Sequence, residues 1–598
     1  FPSCKKNCCK KHKNSYNQII LTNQEGNTMF NATNVFKSFR KTLYNLIPFR
    51  RDATMDVVDA LSSNMGADSV VKLSLSHLHP RTYNSIGDAI KHYPGPQPKP
   101  VEQEAQEGSS PQLQSTPASS DAAKTGQADN SNPVVSPKEN KTGQTNQSIP
   151  AVPEATKTDQ SDNPEKPADP PTPTTQKLIS RTIAQHCIDA SETSSPFIRL
   201  AVDCTRASRP FSPKLEDRGF VHSPNPTPGN KPITLGHQYS SLVFLPEKEP
   251  GNPPWVVPLM MQRVPSEDKG NEFGMQQLAN LLSDEALGFD KTFVVNVADS
   301  LYSTNGSRKF IIGKDNLVHI ARLNSGRKVF SQPTAEQLAK SKNRRKFGSK
   351  MKLNDESTHH QADEQEEFET VNAKGKRYTV TVTTWNDMSV RGNKDFPAHQ
   401  HPFTLLRVQL TDMEGNEVFK RKLWLMVAGK RRLELTARMI YDSYRQRFDI
   451  EHFFRFGKQH LLLDKFQTPE VEHEENWWQL SMLSYVQLYL GRKLGEQILY
   501  PWEKYPKAKG GPDKPPKVAS PSQTQRDFIR ILEEVGTPSK PPKPRGISPG
   551  RQPGETQNKR PDQPVVRKNK AKKAKKNKDE NKTKGFEKQG DILKPDSF

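Results

Sequence analysis

Apolar residues along this chain fall into blocks with distinct periods, separated by long polar stretches. VFKSFRKTLYNLI (35–47) and YNSIGDAIKHY (83–93) carry apolar positions three and four apart, which predicts amphipathic helices. Pro94, Pro96 and Pro98 then stop the second of them. Order resumes near Leu178 with ISRTIAQHCIDA, a predicted helix. The apolar runs SPFIRLAVDCT (195–205), YSSLVFLPE (239–247), WVVPLMMQRV (255–264) and FVVNVADS (293–300) predict strands. A helix over 273–288 interrupts them, so this stretch reads as a mixed α/β layer. From about 305 to 430 the pattern turns β-rich. FIIG, LVHIARL, RYTVTVTTW, FTLLRVQLT and VFKRKLWLMVAG predict strands around a basic loop (340–352) and an acidic stretch (363–369). One long helix is predicted over 434–463, another over 477–495 and a short one over 526–536.

The polar stretches change the picture of domain count. Residues 97–176 are nearly all Pro, Ser, Thr, Gln, Asn, Asp, Glu, Lys and Ala, too poor in apolar surface to offset chain entropy, and read as a disordered linker. Hydrophobic residues make up 32% of the 598, against roughly 45–50% for a typical globular domain, and there are 50 prolines. A single compact domain is thereby excluded. A membrane-spanning protein is excluded too, because no run of about 18 apolar residues occurs. Five cysteines are too few for a disulfide scaffold and fit a reduced compartment. Cys4, Cys8, Cys9 and His12 lack the usual spacing of a zinc site. The first residue is Phe rather than Met, so we expect the true start upstream. A net charge of +22 points to a polyanionic partner, most simply nucleic acid. Two clusters concentrate it. Lys340, Lys342, Arg344, Arg345, Lys346 and Lys350 lie in the loop of the β-rich block, a candidate for ordered DNA contact. Arg567 to Lys578 form a dense run suited to non-specific backbone attraction. Trp385 and Trp424 read as core residues of that block.

Three features bear on chemistry. Asp203 ends one apolar run and Asp299 another, and a carboxylate in such a place costs stability unless paired, solvated or metal-bound. On the predicted 434–463 helix, Tyr444, Arg447, Glu451 and Lys458 fall within a sector of roughly 60° over about 21 Å. Phe448, Ile450, Phe453, Phe454 and Phe456 suggest that this helix is packed on most sides, so its polar face reads as lining a site rather than as a solvated ion pair. Two strand acids and a helix acid can hold two divalent cations for phosphodiester chemistry, and hard oxygen ligands favour Mg²⁺ or Mn²⁺. The basic and aromatic residues on the same helix face would hold the DNA backbone.

The spacing of Tyr444, Arg447, Glu451 and Lys458 resembles the Y-(2)-R-(3)-E-(6)-K signature of bacterial insertion-sequence transposases of the IS4-like superfamily. RLAVDCTRASRP (199–210), DRGFVHSPN (217–225), GHQYS (236–240), VVNVADSLYS (294–303), NRRKFGSKMKL (343–353), the stretch 444–478 and GTPSKPPKPRGISPGRQPG (536–554) also look like that group. The resemblance implies an α/β fold with a ribonuclease-H-like catalytic domain (177–320 and 430–500) and a β-rich insertion domain (321–429). Before these come a small helical N-terminal module (1–96), suggested for DNA-end binding, and the disordered linker. A mostly disordered, Pro- and Lys-rich basic tail (501–598) follows. It further implies a metal-binding catalytic triad of Asp203, Asp299 and Glu451 with two Mg²⁺ or Mn²⁺ ions. Tyr444, Arg447 and Lys458 would bind DNA, with Arg344, Arg345 and Lys346 as further contacts. The implied activity is hydrolysis at transposon ends and 3′-hydroxyl strand transfer into target double-stranded DNA, by a homodimer in a synaptic complex, in the bacterial cytoplasm at the nucleoid. The competing expectation is an inactive or repurposed transposase-derived DNA-binding protein.

Overall fold

The computed structural model describes residues 26–94, 173–189, 194–223, 232–249, 251–341, 345–372, 375–393, 395–497, 518–544 and 558–568, together with 550, 552, 554 and 556. Most of the expected linker (97–172) and most of the densest basic run (569–578) lie outside them, as do Arg344 and the N-terminal cysteines.

The strands are β1 (Ile198–Ser208), β2 (Gly219–His222), β3 (Ile233–Phe244), β4 (Val257–Val264), β5 (Val294–Ala298), β6 (Leu317–Leu323), β7 (Lys328–Phe330), β8 (Lys350–Lys352), β9 (Glu364–Val371), β10 (Arg377–Met388), β11 (Phe403–Thr411) and β12 (Leu423–Ala428). Ten of them form one mixed sheet of order β2-β3-β1-β5-β6-β12-β11-β10-β9, with β4 also on β3. β7 and β8 form a separate ribbon. β1 runs antiparallel to β3 and parallel to β5, and β5 runs parallel to β6. The parallel strand β5 is buried along its whole length, as strands covered on both faces are.

Helices α1 (Gly26–Leu46), α2 (Arg51–Ser62), α3 (Val70–Leu73) and α4 (Tyr83–His92) precede the sheet, and α5 (Thr175–Asp189) leads into it. α6 (Gly270–Leu282), α7 (Asn305–Arg308) and α8 (Ala335–Ala339) follow β4, β5 and β7. α9 (Ala437–Gln446), α10 (Asp449–His460), α11 (Val471–Gln497) and α12 (Pro521–Val535) complete the chain. α11 is buried on all sides from Asn476 to Gly491, and its Asn, Gln and Ser side chains there are held by hydrogen bonds to the neighbouring elements. Trp477, Trp478, Leu480, Leu483, Val486 and Leu488 are inaccessible. The N-terminal helices cover one side of it: Asn476 Nδ2 donates to Ile90 O (2.9 Å) and Ser484 Oγ to Val58 O (3.3 Å). Arg40 donates to both carboxylate oxygens of Asp59 (2.6 and 2.8 Å) and to Gln487 of α11. On the other side the Trp478 ring stacks on Tyr239 of β3 at 3.9 Å.

Several expectations need correction. The predicted 434–463 helix is two helices, α9 and α10, joined by a tight step. Across it Arg447, Phe448, Ile450 and Glu451 N–H groups reach back three residues rather than four. No Pro or Gly marks the step; at it Arg447 faces inward and Phe448 outward, 5% and 46% exposed. FIIG (310–313) is no strand: a 3₁₀ turn covers Lys309–Ile311. The acidic stretch 363–369 lies mostly in the edge strand β9 (Glu364–Val371), whose first half is exposed on both faces, so Glu364 and Glu366 on one row and Glu367 and Glu369 on the other all meet water. Strands β9 to β12 continue the sheet that carries Asp203, through the β12–β6 pairing. Their other face holds a second core with Trp385 and Trp424, rings 5.7 Å apart.

Parts of the 501–598 stretch are ordered on the body. α12 starts at Pro521 because Ser520 and Gln523 form a capping box with Pro at the first helical position. Further along this stretch the Gln563 and Val566 amides donate to Pro213 O and Arg218 O (2.8 Å each), and Val566 bridges Gly219 of β2. Among the described residues no helix is long and apolar enough to cross a membrane.

Candidate active site

Sheet register brings the two strand acids together. β1 and β5 pair in parallel up to Ala201 and Val297, and two residues later come Asp203, which does not end its strand but lies midway along β1 opposite Ser241 of β3, and Asp299, one residue past the end of β5. Asp203 Oδ1 accepts from its neighbour Cys204 N (2.7 Å). Asp299 leaves the strand and caps the 3₁₀ turn Ser300–Ser303, its Oδ1 accepting from Leu301 N (2.8 Å). α6 lies close behind β1. A Cβ on Gly274 would come within 2.7 Å of Val202 Cγ2, and one on Gly270 within 2.9 Å of Cys204 Sγ. Two glycines four apart share a helix face, and this pair lets the helix backbone pack directly on the strand that carries Asp203.

The helix step delivers the third acid. Glu451 sits in the first turn of α10, where a carboxylate suits the positive end of the helix. Arg447 bridges it to the sheet: Nη2 lies 3.0 Å from Glu451 Oε1 and Nη1 3.7 Å from Asp203 Oδ2. The guanidinium stands over the Phe448 ring at 4.4 Å, and Tyr444 is buried beside it at 5.7 Å. The step thus explains what a continuous helix could not: Arg447 is buried among acids while Glu451 keeps nearly half of its side chain in solvent. Lys458, one face further along, donates from Nζ to Arg206 O of β1 (2.8 Å). Arg345 and Lys346 are exposed between α8 and β8 and make no hydrogen bond or ion pair with these residues.

The electrostatics are asymmetric. Burial, reinforced by the Asp299 charge, pushes the Asp203 carboxyl up to about 7, against the pull of Arg447. Burial also raises Asp299, with repulsion from Glu451, while the Leu301 amide and Arg447 oppose it. Burial drives the Lys458 ammonium down to about 8, partly offset by Asp464. Burial lifts the Tyr444 phenol above its usual range.

These residues fit divalent cations in chemistry. Mutually repelling all-oxygen donors are what a hard cation neutralises, and they take Mg²⁺ or Mn²⁺. Among the described residues, however, no three His, Cys, Asp or Glu side chains are already grouped at ligand spacing. Arg447 bridges two of the three acids instead.

Sequence reading missed a buried polar knot beneath this site. Arg209 Nε donates to Glu474 Oε2 (2.7 Å), while His237 Nδ1 (2.8 Å) and Tyr239 OH (3.0 Å) meet Oε1. Arg209 also holds Asp464 O and Phe466 O in the loop between α10 and α11. A cavity of about 740 Å³ lies beside the helix step, lined by Tyr378, Phe419, Tyr441 and Phe448 together with Arg322 and Arg445.

An antiparallel β4-β3-β1 set joined to parallel β5 and β6, with one acid midway along β1 and the other just past the end of the neighbouring β5, is compatible with a ribonuclease-H-like domain. Residues 170–392 match the family model described as DDE superfamily endonuclease, which supports a DDE transposase-like family and a transposase- or nuclease-type enzyme acting on DNA. Enzymes of that type generally use divalent metal ions. The match includes Asp203 and Asp299 and ends before the helices that carry Tyr444 to Lys458. No curated protein sequence matches the chain.

Proposed function

We propose that this chain is a DNA transposase of the IS4-like group, with Asp203, Asp299 and Glu451 as its catalytic, metal-holding triad. The observation that supports this most is the convergence of Asp203 and Glu451 on Arg447, beside an Asp299 that burial and Glu451 hold above the usual carboxylate range. Two Mg²⁺ or Mn²⁺ ions held there would supply an activated water or 3′-hydroxyl and a charge sink for the leaving oxygen. Cys204 N and Leu301 N keep the strand acids aimed, and Glu451, the most exposed of the three, would complete the set of carboxylates that hold the ions. Arg447, released from Glu451, turns its fork to the scissile phosphate, and Tyr444 backs it. The aromatic and basic lining of the 740 Å³ cavity suits an unstacked nucleotide beside the cleaved bond. Arg344, Arg345 and Lys346 contact DNA further out, and helices of the N-terminal module contribute to end recognition. A homodimer bridges two ends in the bacterial cytoplasm.

The test maps product ends on DNA carrying the sequences that flank the gene, with Mg²⁺ or Mn²⁺, for wild type and Glu451→Gln. Cleavage at a terminal repeat boundary followed by strand-transfer products, both lost in the variant, is the expected result. Equal binding without cleavage by both proteins would replace this reading with a repurposed DNA-binding protein. Cleavage unchanged in Glu451→Gln would remove Glu451 from the triad.

Lys458 gives a separate check. Its ammonium is present below about pH 8 and is lost above it. Wild-type affinity for end DNA should therefore fall between pH 7 and 9. Lys458→Met should bind more weakly below about pH 8 and converge with wild type above it, giving a flatter pH profile, and at pH 7 should reduce the salt slope by about one. An unchanged slope would mean that Lys458 meets no phosphate.

A further inference from the structure

A second basic site lies at the opposite end of the sheet from the carboxylates. β6 begins beside the start of β5, Leu317 pairing with Val294, whereas Asp299 follows the far end of β5. That places the two ends about 16 Å apart at strand spacing. At the β6 end, a cavity of about 390 Å³ is lined by Arg308, Lys314, Lys430, Arg432 and Asp315. These are four cations against one carboxylate. Asp315 is spoken for by Lys430 (2.7 Å), and Arg432 is held by Asp387 from outside the cavity. Lys314 meets the Ser283 hydroxyl and, among the described residues, no carboxylate.

Arg308 is the unexplained group. It is 1% exposed, at the end of α7, yet no carboxylate among the described residues pairs with it. Its Nη2 donates to His401 O, and the rings of Phe396 and Phe403 flank the guanidinium at 5.0 and 5.2 Å. Its Nε and Nη1 have no acceptor among the described residues, and neither does Nε of Arg432 on the same cavity. Desolvation alone, with no counter-charge, lowers Arg308 to about 10. A buried, unpaired guanidinium is among the costliest features a fold can keep. In a low-dielectric wall its field is strong at the cavity, and it selects for an anion.

We propose that this cavity is a binding site for a phosphate-type oxyanion, with Lys314 as the solvent-side contact and Arg308 and Arg432 as the fixed charges behind it. The buried guanidiniums act through their charge, uncompensated at Arg308, which favours a multiply charged oxyanion that Lys314 meets directly. The anion can be a DNA backbone phosphate away from the scissile bond or a free phosphate or nucleotide. The site does not depend on the triad being catalytic.

The experiment uses the full chain and two probes, inorganic pyrophosphate and a short DNA duplex, read by calorimetric titration and melting temperature. The proteins are wild type, Lys314→Ser and Arg308→Met. Saturable pyrophosphate binding by wild type, weakened at least tenfold in both variants, is expected. Arg308→Met without ligand should melt no lower than wild type, because it removes an uncompensated charge. If Lys314→Ser also lowers the salt slope of duplex binding by about one, the natural ligand is a DNA phosphate. If duplex binding is untouched while pyrophosphate binding falls, it is a free anion. No saturable pyrophosphate binding by wild type, or equal binding by wild type and Lys314→Ser, overturns the proposal, and the second arm stands even if Arg308→Met fails to fold.

Discussion

Asp203→Asn should lower metal-dependent DNA cleavage by about 10³-fold or more while leaving the protein at least as stable as wild type. The loss follows from the proposed role. Asparagine keeps the shape and can still accept from Cys204 N, but it offers a cation no charge, and about 4 kcal/mol of transition-state stabilisation corresponds to that factor. The gain follows from linkage. An acid raised to about 7 by burial and by Asp299 keeps its proton in the folded state over a range where the unfolded chain has already released it. Asp203 therefore costs wild type stability as pH rises from about 4 through about 7, and Asp203→Asn removes that contribution. Above pH 7 the variant should exceed wild type by about 1–3 kcal/mol without divalent metal. This is discounted from the full shift because Asn also removes the Asp203 partner of Arg447. Added Mg²⁺ should close the gap by stabilising wild type alone. Melting curves at pH 5 and 8, with and without Mg²⁺, check it. A variant less stable than wild type at pH 8 would mean that Asp203 holds the fold together rather than storing strain for a ligand.

Much of this site is legible in the order of residues alone. The apolar run ending in Asp299 marks a strand end, because a buried parallel strand is a run of apolar residues, whereas β1 runs on past Asp203 to Ser208 on its pairing with β3, so the acid there marks where the burial of the strand loosens and not where the strand stops. The motif at 444–458 marks one helix face. What the residues do not carry is adjacency. Nothing in 195–205 and 293–300 says that these strands pair in parallel, and that pairing alone sets Asp203 beside Asp299. The helix step at 447–448 has no sequence signal because no breaker residue marks it. Tertiary forces make it, with Arg447 drawn to two acids and Phe448 left outside. The close approach of α6 to β1 does have a signal, Gly270 and Gly274 at helical spacing. The unpaired state of Arg308 has none, since only a complete inventory of neighbours reveals a missing partner.

The largest stability effect should come from the knot below the site. Glu474→Gln should destabilise the fold by about 3–5 kcal/mol, because it strands the Arg209 guanidinium, 1% exposed, without a counter-charge. For a folded body of this size that corresponds to roughly 5 °C in melting temperature. Burial alone would raise Glu474, but the His237 hydrogen bond and the Arg209 charge overcome it and hold the carboxylate below its usual range. A depressed carboxylate stabilises above its unfolded value, near 4.3, and that contribution is lost as pH falls through the folded value. The variant should therefore lack part of the wild-type acid limb below about pH 4. Neighbouring Glu475 is shifted upward by burial and has the opposite sign, but it is present in both proteins and cancels in the difference. Pairing Glu474→Leu with Arg209→Met should recover much of the loss, since removing both charges costs less than stranding one. The consequence for function is positional. Arg209 follows the strand that carries Asp203, and through Asp464 O and Phe466 O it pins the loop leaving the helix that carries Glu451. Cleavage by Glu474→Gln should therefore fall further than its folded fraction does, whereas the double variant should restore folding without restoring the rate. A rate that tracks folded fraction in both proteins would show that the knot supports the fold without setting the distance between the acids.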